Sequence, residues 1–231
     1  AELKTIAGGT SGFITLNDTT VALSGDATDL KTIFDESITA HTGAVTVTDS
    51  AYTVAELKAI AGGTSGSIKL NDTTVALSGD ATDLETIFGE TITAHTGAVT
   101  VTDSAYTVAE LTAIAGGTSG SIKLNDTTVA LSGSVTDLNT IFSETITTHT
   151  GTVTISSAAD YDIPKLKVIN AGTSGAITLS DTTVALSGDA TDLALALAGS
   201  INHTGAVTVT DGSDYTVAEL TAIAGGTSGS I

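Results

Sequence analysis

Several residue types are missing or scarce in this 231-residue sequence. It contains no cysteine, methionine or tryptophan, a single proline, and only 3% aromatic residues. The absence of cysteine excludes disulfides, a thiolate nucleophile and a cysteine-ligated metal. Hydrophobic residues make up 41%, so the interior is predicted to consist of thin layers of Val, Ile, Leu and Ala, because large globular cores usually depend on aromatic bulk.

Positive charge is scarce as well. Seven lysines and no arginine stand against 26 acidic residues, for a net charge of −19. A field of this sign repels nucleic acid and anionic membrane surfaces, so neither is expected as a partner. No run approaches the roughly 18 apolar residues of a membrane span, and no membrane insertion is predicted.

A long internal period is visible in the tyrosines. Tyr52, Tyr106, Tyr161 and Tyr215 follow one another at a period of about 54 residues. They divide the chain into superrepeats at approximately 1–51, 52–105, 106–160 and 161–214, with a partial copy at 215–231. The sequence opens and closes inside a repeat and contains no signal peptide, so we expect a piece of something longer.

A shorter period lies within the long one. A Leu-x-x-Ile motif recurs at intervals of about 27 residues, and one interval is a single residue longer. Leucine and isoleucine at i and i+3 share one face of a helix. Ala196 replaces the isoleucine in one copy, and the leucines are Leu3, Leu30, Leu57, Leu84, Leu111, Leu138, Leu166, Leu193 and Leu220.

Each motif is preceded by a helix start signal and followed by strand-like sequence. Thr53 with Glu56 has the form of a capping box, and Asp26 or Asp80 marks an N-cap in alternate copies. Alternating runs such as Ile68–Leu70 and Val99–Val101 predict strands, and Val75–Leu77 predicts another short strand in every second coil.

These patterns predict an α/β solenoid over residues 1–231, a single continuous array of eight to nine coils. Each coil of about 27 residues has a short helix and parallel β-strands. Parallel strands joined through a helix are right-handed in nearly all known cases. The alternative is four separate domains, one for each long repeat, which would have difficulty stabilising themselves with so few aromatics.

Histidine recurs in one context, His-Thr-Gly, and only four times. A row of stacked histidines about 10 Å apart cannot converge on one zinc ion. We therefore expect turn residues on the solvent side whose rings contact neighbouring backbone, and no metal site. The four are His41, His95, His149 and His203.

Aspartates form two further rows at strand ends. Calcium, which accepts six to eight oxygen ligands, could lie between stacked carboxylates. The glycine- and aspartate-rich calcium nonapeptide is absent, so turn-forming aspartates are expected and no cofactor is predicted. One row contains Asp18, Asp72, Asp126 and Asp181, and the other contains Asp49, Asp103 and Asp211, with Ser157 in the remaining position.

Threonine pairs are predicted to point outward from the strands, as in Thr100 and Thr102. Flat arrays of this kind resemble the ice-binding faces of some β-solenoid antifreeze proteins, but Lys69 and Lys123 interrupt the array in alternate coils. Threonine is otherwise a good strand former. The other pairs are Thr46 with Thr48 and Thr208 with Thr210.

No catalytic residue is predicted. Serine, histidine and aspartate all occupy repeated positions, whereas catalysis needs one pocket with convergent groups. The sequence also lacks a phosphate-binding loop and a dinucleotide fingerprint. The chain is therefore expected not to be an enzyme.

The run at residues 52–60, followed by residues 64–70, resembles the tandem repeats of very large secreted or surface proteins of bacteria, cyanobacteria among them. The resemblance covers the whole chain. It implies an extracellular location, adhesive or envelope roles and a longer array, and it carries over no site residues.

Two functions remain open from the sequence. The first is an extracellular structural protein (filament, sheath, stalk or surface-layer component) that self-associates or continues by stacking of coils, because open solenoids bury their cores only against neighbouring coils. The alternative is an adhesin whose repeated outer face binds glycan, mineral or ice, with avidity that grows with repeat number.

Overall fold

The computed structural model describes residues 2–36, 38–157, 161–199, 201–212 and 214–231. By its internal contacts the chain divides into two units. Unit 1 comprises Ala1–Asp103 and Ala113–Asn125, and unit 2 comprises Ser104–Thr112 and Asp126–Ile231. Both units are built from the same short helices and short parallel strands.

The helices contain the Leu-x-x-Ile motifs and begin at the predicted caps. The Thr53 side chain and the Glu56 carboxylate satisfy each other's backbone amides, which confirms the capping box. Asp80 accepts from the amide of Asp83 in the alternate type of helix. The helices are α1 (Glu2–Ala7), α2 (Ala27–Phe34), α3 (Val54–Gly63), α4 (Ala81–Phe88), α5 (Val108–Gly117), α6 (Val135–Ser143), α7 (Ile163–Gly172), α8 (Ala190–Ala196) and α9 (Val217–Gly226).

All strand pairs among the described residues are parallel and three residues long. The sheets are β1-β2-β3 and β4-β5-β6 in unit 1, and β7-β8-β9 and β10-β11 in unit 2. The strands are β1 (Leu23–Gly25), β2 (Val45–Val47), β3 (Ile68–Leu70), β4 (Leu77–Gly79), β5 (Val99–Val101), β6 (Ile122–Leu124), β7 (Leu131–Gly133), β8 (Val153–Ile155), β9 (Ile177–Leu179), β10 (Leu186–Gly188) and β11 (Val207–Val209).

The strand predicted at Val75–Leu77 was placed two residues too early, because β4 begins at Leu77. Asp72 holds Thr74 in a turn by accepting from its amide and its hydroxyl. The carbonyl of Val75 accepts from the ring of His95, so the hydrogen bond that Val75 makes is to a side chain and not to a neighbouring strand.

Most of the motif leucines and isoleucines are buried and form the core of each unit, whereas Leu3 and Leu220 are half-buried and Ile6 is exposed. In unit 1, consecutive helices from α1 to α4 pack on one another, and Ile60 and Ile87 are fully buried. Helices α6 to α9 pack in the same order in unit 2. Ion pairs join neighbouring helices at the surface, as between Lys58 and Asp83. This succession of short helices and parallel strands confirms the predicted repeating unit and is compatible with a solenoid.

Candidate functional site

The structure contradicts one part of the prediction for the four histidines, since none of them lies on the solvent side. His41, His95, His149 and His203 are at most 2% exposed. The other part is confirmed, because each ring bonds to backbone of a neighbouring turn. At His41, His95 and His149 a phenylalanine at the end of the preceding helix helps to cover the imidazole, as Phe88 does for His95 with ring centroids 5.7 Å apart. Helix α8, which precedes His203, ends instead in Ala196 and Leu197.

His95 shows how a buried imidazole is satisfied. Its Nε2 lies 2.8 Å from the carbonyl oxygen of Val75, and its Nδ1 lies 3.3 Å from the hydroxyl oxygen of Thr118. A carbonyl only accepts, so Nε2 carries the proton and Nδ1 faces the hydroxyl as an acceptor. The same Thr118 hydroxyl also donates to the carbonyl oxygen of His95 at 3.1 Å, so its one proton is shared between two acceptors. Burial lowers the pKa of His95, as it does for His149. The ring therefore bridges two neighbouring turns through both of its nitrogens.

The glycine that follows each His-Thr pair allows turns to stack closely. A Cβ on Gly97 would lie 2.5 Å from the carbonyl oxygen of Val75. A Cβ on Gly120 would lie 2.6 Å from the carbonyl carbon of Gly97, and closer still to its oxygen. Neither glycine has a positive φ. Both positions require glycine because backbone passes directly over backbone.

The first aspartate row is confirmed as turn-forming. The Oδ1 of Asp72 accepts from the amide of Thr74 at 2.9 Å and from its hydroxyl at 2.7 Å. These bonds stabilise the carboxylate, and they lower the pKa of Asp72. Asp18, Asp126 and Asp181 make the same pair of bonds and shift in the same direction.

The second aspartate row caps helices, a role that was not predicted from the sequence. Asp103 accepts from the amide of Ala81, the first residue of α4, at 2.7 Å. Asp49 and Asp211 do the same for Ala27 and Ala190. These carboxylates therefore cap helices that lie almost one coil earlier in the chain. The regular spacing of the row indicated a shared role. The backbone amide that each aspartate accepts from can be identified only from the register in which neighbouring coils stack.

Ser157 occupies this position for helix α6, where the native N-cap is the uncharged Ser134. We expect Ser157→Asp to raise the free energy of unfolding by about 0.5–1 kcal/mol, because the carboxylate would reach the Val135 amide at a positive helix end. Urea unfolding followed by circular dichroism measures this. Ser143→Asp adds the same charge at the C-terminal end of α6 and should destabilise the protein. An equal increase in the free energy of unfolding from both variants would contradict the capping explanation.

The outward faces of the sheets differ in charge. In the β4-β5-β6 sheet the register aligns Ser78, Thr100 and Lys123, which confirms that a lysine interrupts the hydroxyl row. In the β7-β8-β9 sheet the aligned residues are Ser132, Thr154 and Thr178. That row carries hydroxyl groups only.

No cluster of metal-ligating side chains is found in the part of the chain that the structure describes. No three His, Asp or Glu side chains there are grouped as a metal ion would require. A cavity of about 630 Å³ in unit 1 is lined by Glu36, Glu90 and His41, but both ring nitrogens of His41 are already engaged. None of the described helices is long and apolar enough to cross a membrane.

Large apolar side chains are exposed in both units. In unit 1, Ile6 is 54% and Phe13 is 67% exposed, whereas Ile60, the repeat equivalent of Ile6, is fully buried. In unit 2, Val217 is 82% exposed, whereas its equivalent Val108 is 9% exposed. The same residue type in the same local structure is thus covered in one copy of the repeat and uncovered in another.

Comparison of the chain with protein-family models, with curated proteins and with solved structures finds no match. The class of protein is therefore defined by the fold alone. It is a repeat protein of short helices and parallel strands.

Proposed function

We propose that this chain is an extracellular structural repeat protein, a filament, sheath, stalk or surface-layer component, that assembles by stacking of coils. In this proposal residues 1–231 form one right-handed solenoid of eight to nine coils. The length of each coil equals the short period of the sequence. The observation that carries the proposal is that repeat-equivalent side chains are buried where another coil lies on them and exposed where none does.

Val54 and Tyr52 show which segment of the chain covers the repeat-equivalent side chains where they are buried. The Tyr52 hydroxyl donates to the carbonyl of Asp72, and a Cβ at Gly79 would lie 2.9 Å from Val54. Both contacts come from the segment that begins at Asp72. Tyr215 and Val217, their equivalents, are 46% and 82% exposed. Full burial of one such side chain contributes about 1.5–3 kcal/mol, so a further coil on this surface is favoured.

The remaining features fit a structural role better than a catalytic one. The histidines bridge turns, one aspartate row forms turns and the other caps helices. Each of these polar groups therefore serves the stacking of the chain. The net charge of −19 keeps assemblies soluble and disfavours nucleic acid as a partner.

Electron microscopy and sedimentation of the purified chain over a range of concentrations test this proposal. We expect extended particles whose length grows with concentration, because association buries the uncovered apolar residues. Monodisperse particles that remain short at every concentration would count against assembly by stacking.

A second candidate, an adhesin, is favoured by one observation, the uncharged hydroxyl row of Ser132, Thr154 and Thr178. Such a row could bind a glycan, a mineral surface or ice by many weak polar contacts. Thr154→Lys should then abolish binding in glycan-array and ice-affinity assays, while Thr100→Lys, in the row that already contains Lys123, should leave binding almost unchanged. Absence of binding by the native chain in these assays would remove this candidate.

A further inference from the structure

Four asparagines of this chain share one sequence context. Each is followed two positions later by a threonine, and the residue between them is not proline. This is the acceptor tripeptide for an N-linked sugar, which is carried on surface loops of secreted proteins. The remaining asparagines, Asn139 and Asn170, have no such threonine and lie within helices α6 and α7. The four are Asn17, Asn71, Asn125 and Asn202, one in each superrepeat.

All four side chains are exposed. Asn71 directly follows strand β3, and its Nδ2 lies 3.4 Å from the carbonyl oxygen of Thr48. Asn125 makes the equivalent bond to Thr102 at 3.3 Å. Hydrogen bonds of this length are weak, and each uses one of the two protons on the amide nitrogen. A sugar on Nδ2 replaces the other proton, so this bond is kept when the asparagine is modified.

The fourth superrepeat has lost the asparagine at one position and carries one at another. The equivalent of Asn71 in this copy is Ser180, so the acceptor tripeptide is missing there. Asn202 stands immediately before His203, where the second superrepeat has Ala94. The two positions are far apart in the sequence, and their relation is visible only in the folded chain.

The lost and the gained tripeptides belong to one pair of hydrogen-bonded threonines. In the second superrepeat, the threonine of the tripeptide is Thr73, which shares a hydrogen bond with Thr96 at 3.1 Å. In the fourth, the threonine of the tripeptide is Thr204, which shares the equivalent bond with Thr182 at 2.9 Å. The acceptor has thus moved to the adjacent turn of the same threonine pair. The other two superrepeats contain the pairs Thr19 with Thr42 and Thr127 with Thr150.

This exchange favours a point of attachment over a structural asparagine. An asparagine needed for its hydrogen bond at the strand end could not be replaced by one on the neighbouring turn. A point of attachment needs only the tripeptide and an exposed amide, and both are present once in every superrepeat.

We propose that Asn17, Asn71, Asn125 and Asn202 each carry an N-linked sugar. The donor is a sugar with a diphosphate leaving group on C1, presented by a glycosyltransferase. Nδ2 attacks C1, a nitrogen–carbon bond forms, and the bond from C1 to the diphosphate oxygen breaks. The electron pair of that bond leaves with the diphosphate, and one Nδ2 proton is released to water. This inference rests on the extracellular location in the proposed function.

Peptide mass spectrometry of the chain purified from the cells that produce it tests the proposal. We expect the added mass of a sugar on all four asparagines, with Asn139 and Asn170 unmodified as internal controls. A single sugar at each site points to a nucleotide-activated donor, and a preassembled oligosaccharide points to a polyprenyl diphosphate. Four unmodified asparagines, or sugars on threonine hydroxyls in their place, would overturn the proposal.

A broad-specificity protease added to intact cells measures the location of the chain separately. Digestion of a chain whose asparagines are unmodified would leave the extracellular role in place and remove the modification. A chain that is protected but modified would keep the modification and remove the extracellular location. A chain that is both protected and unmodified counts against both.

Two pairs of variants test the sites themselves. Thr73→Val should abolish the sugar on Asn71, whereas Thr73→Ser, which keeps a hydroxyl, should retain it. Asn202→Ser should remove the sugar from the fourth superrepeat, and adding Ser180→Asn should restore one sugar, at position 180. None of the substituted side chains is buried, and circular dichroism checks that each variant is folded. Equal modification of Asn71 in both Thr73 variants, or a fourth superrepeat that stays unmodified after Ser180→Asn, would contradict this assignment.

Discussion

Replacing Gly120 with alanine is expected to lower the free energy of unfolding by about 3 kcal/mol, at the upper end of the usual cost of overpacking. The added methyl group would lie 2.6 Å from the carbonyl carbon of Gly97 and 2.8 Å from the carbonyl oxygen of Thr96. Both of these atoms belong to the backbone, so the clash cannot be relieved by rotation of a side chain. Gly97 is itself held against the carbonyl of Val75. The clash therefore extends through three stacked turns.

Gly116→Ala, four residues earlier, is the matched control. Gly116 is exposed within α5, and nothing lies within 4 Å of its added Cβ. Alanine is favoured over glycine in a helix by about 0.5–1 kcal/mol, so this variant should be slightly more stable than the native chain. Urea unfolding of both variants provides the comparison. A loss below about 1 kcal/mol for Gly120→Ala would show that the turns are not stacked as closely as described.

Lowering the pH is expected to destabilise the fold already at pH values well above those at which carboxylates titrate. Burial lowers the pKa of His95 and His149 below 6.5, the ordinary value for histidine. The unfolded chain then binds protons that the folded chain excludes. The stabilisation is complete above pH ~6.5 and is lost as the pH falls toward the folded pKa values. Two such histidines give a slope of up to about 2.7 kcal/mol per pH unit within that window.

Urea unfolding at pH 7.5, 6.5 and 5.5 measures this slope. The double variant His95→Gln with His149→Gln should be less stable at pH 7.5 but should show a smaller slope, because an amide can still donate to the carbonyl of Val75 or Val129 without titrating. The turn aspartates, whose pKa values are lowered from 3.8 by threonine hydroxyls and amides, lose their contribution only at lower pH. Stability that is independent of pH between 7.5 and 5.5 would contradict neutral, buried histidines.

The helices and most strands could be predicted from the sequence because their signals are local. The capping box at Thr53 and the alternation at Val99–Val101 each depend on residues within one element. The outward row at Thr100 followed from the two-residue period of a strand in the same way. The recurrence of each signal at a fixed interval then predicted neighbouring copies that pack on one another.

Contacts between copies could not be predicted in this way. Whether Asp103 forms a turn or caps a helix depends on the register that brings it to Ala81, which lies in the preceding coil. His95 was predicted to be on the solvent side because it lies in a turn-like His-Thr-Gly sequence. The acceptor that allows its burial, the Val75 carbonyl, lies in another coil. The two-residue error in β4 has the same origin, since the Val75 carbonyl is occupied by that histidine.

Diffraction from aligned assemblies of the native chain tests the central claim most directly. Coils that stack through parallel strands place their backbones about 4.8 Å apart along the assembly axis. We predict a strong reflection at about 4.8 Å on the meridian, from filaments formed without mutation or crosslinker. A reflection at that spacing confined to the equator, or assemblies in which it is absent, would contradict assembly by stacking of coils.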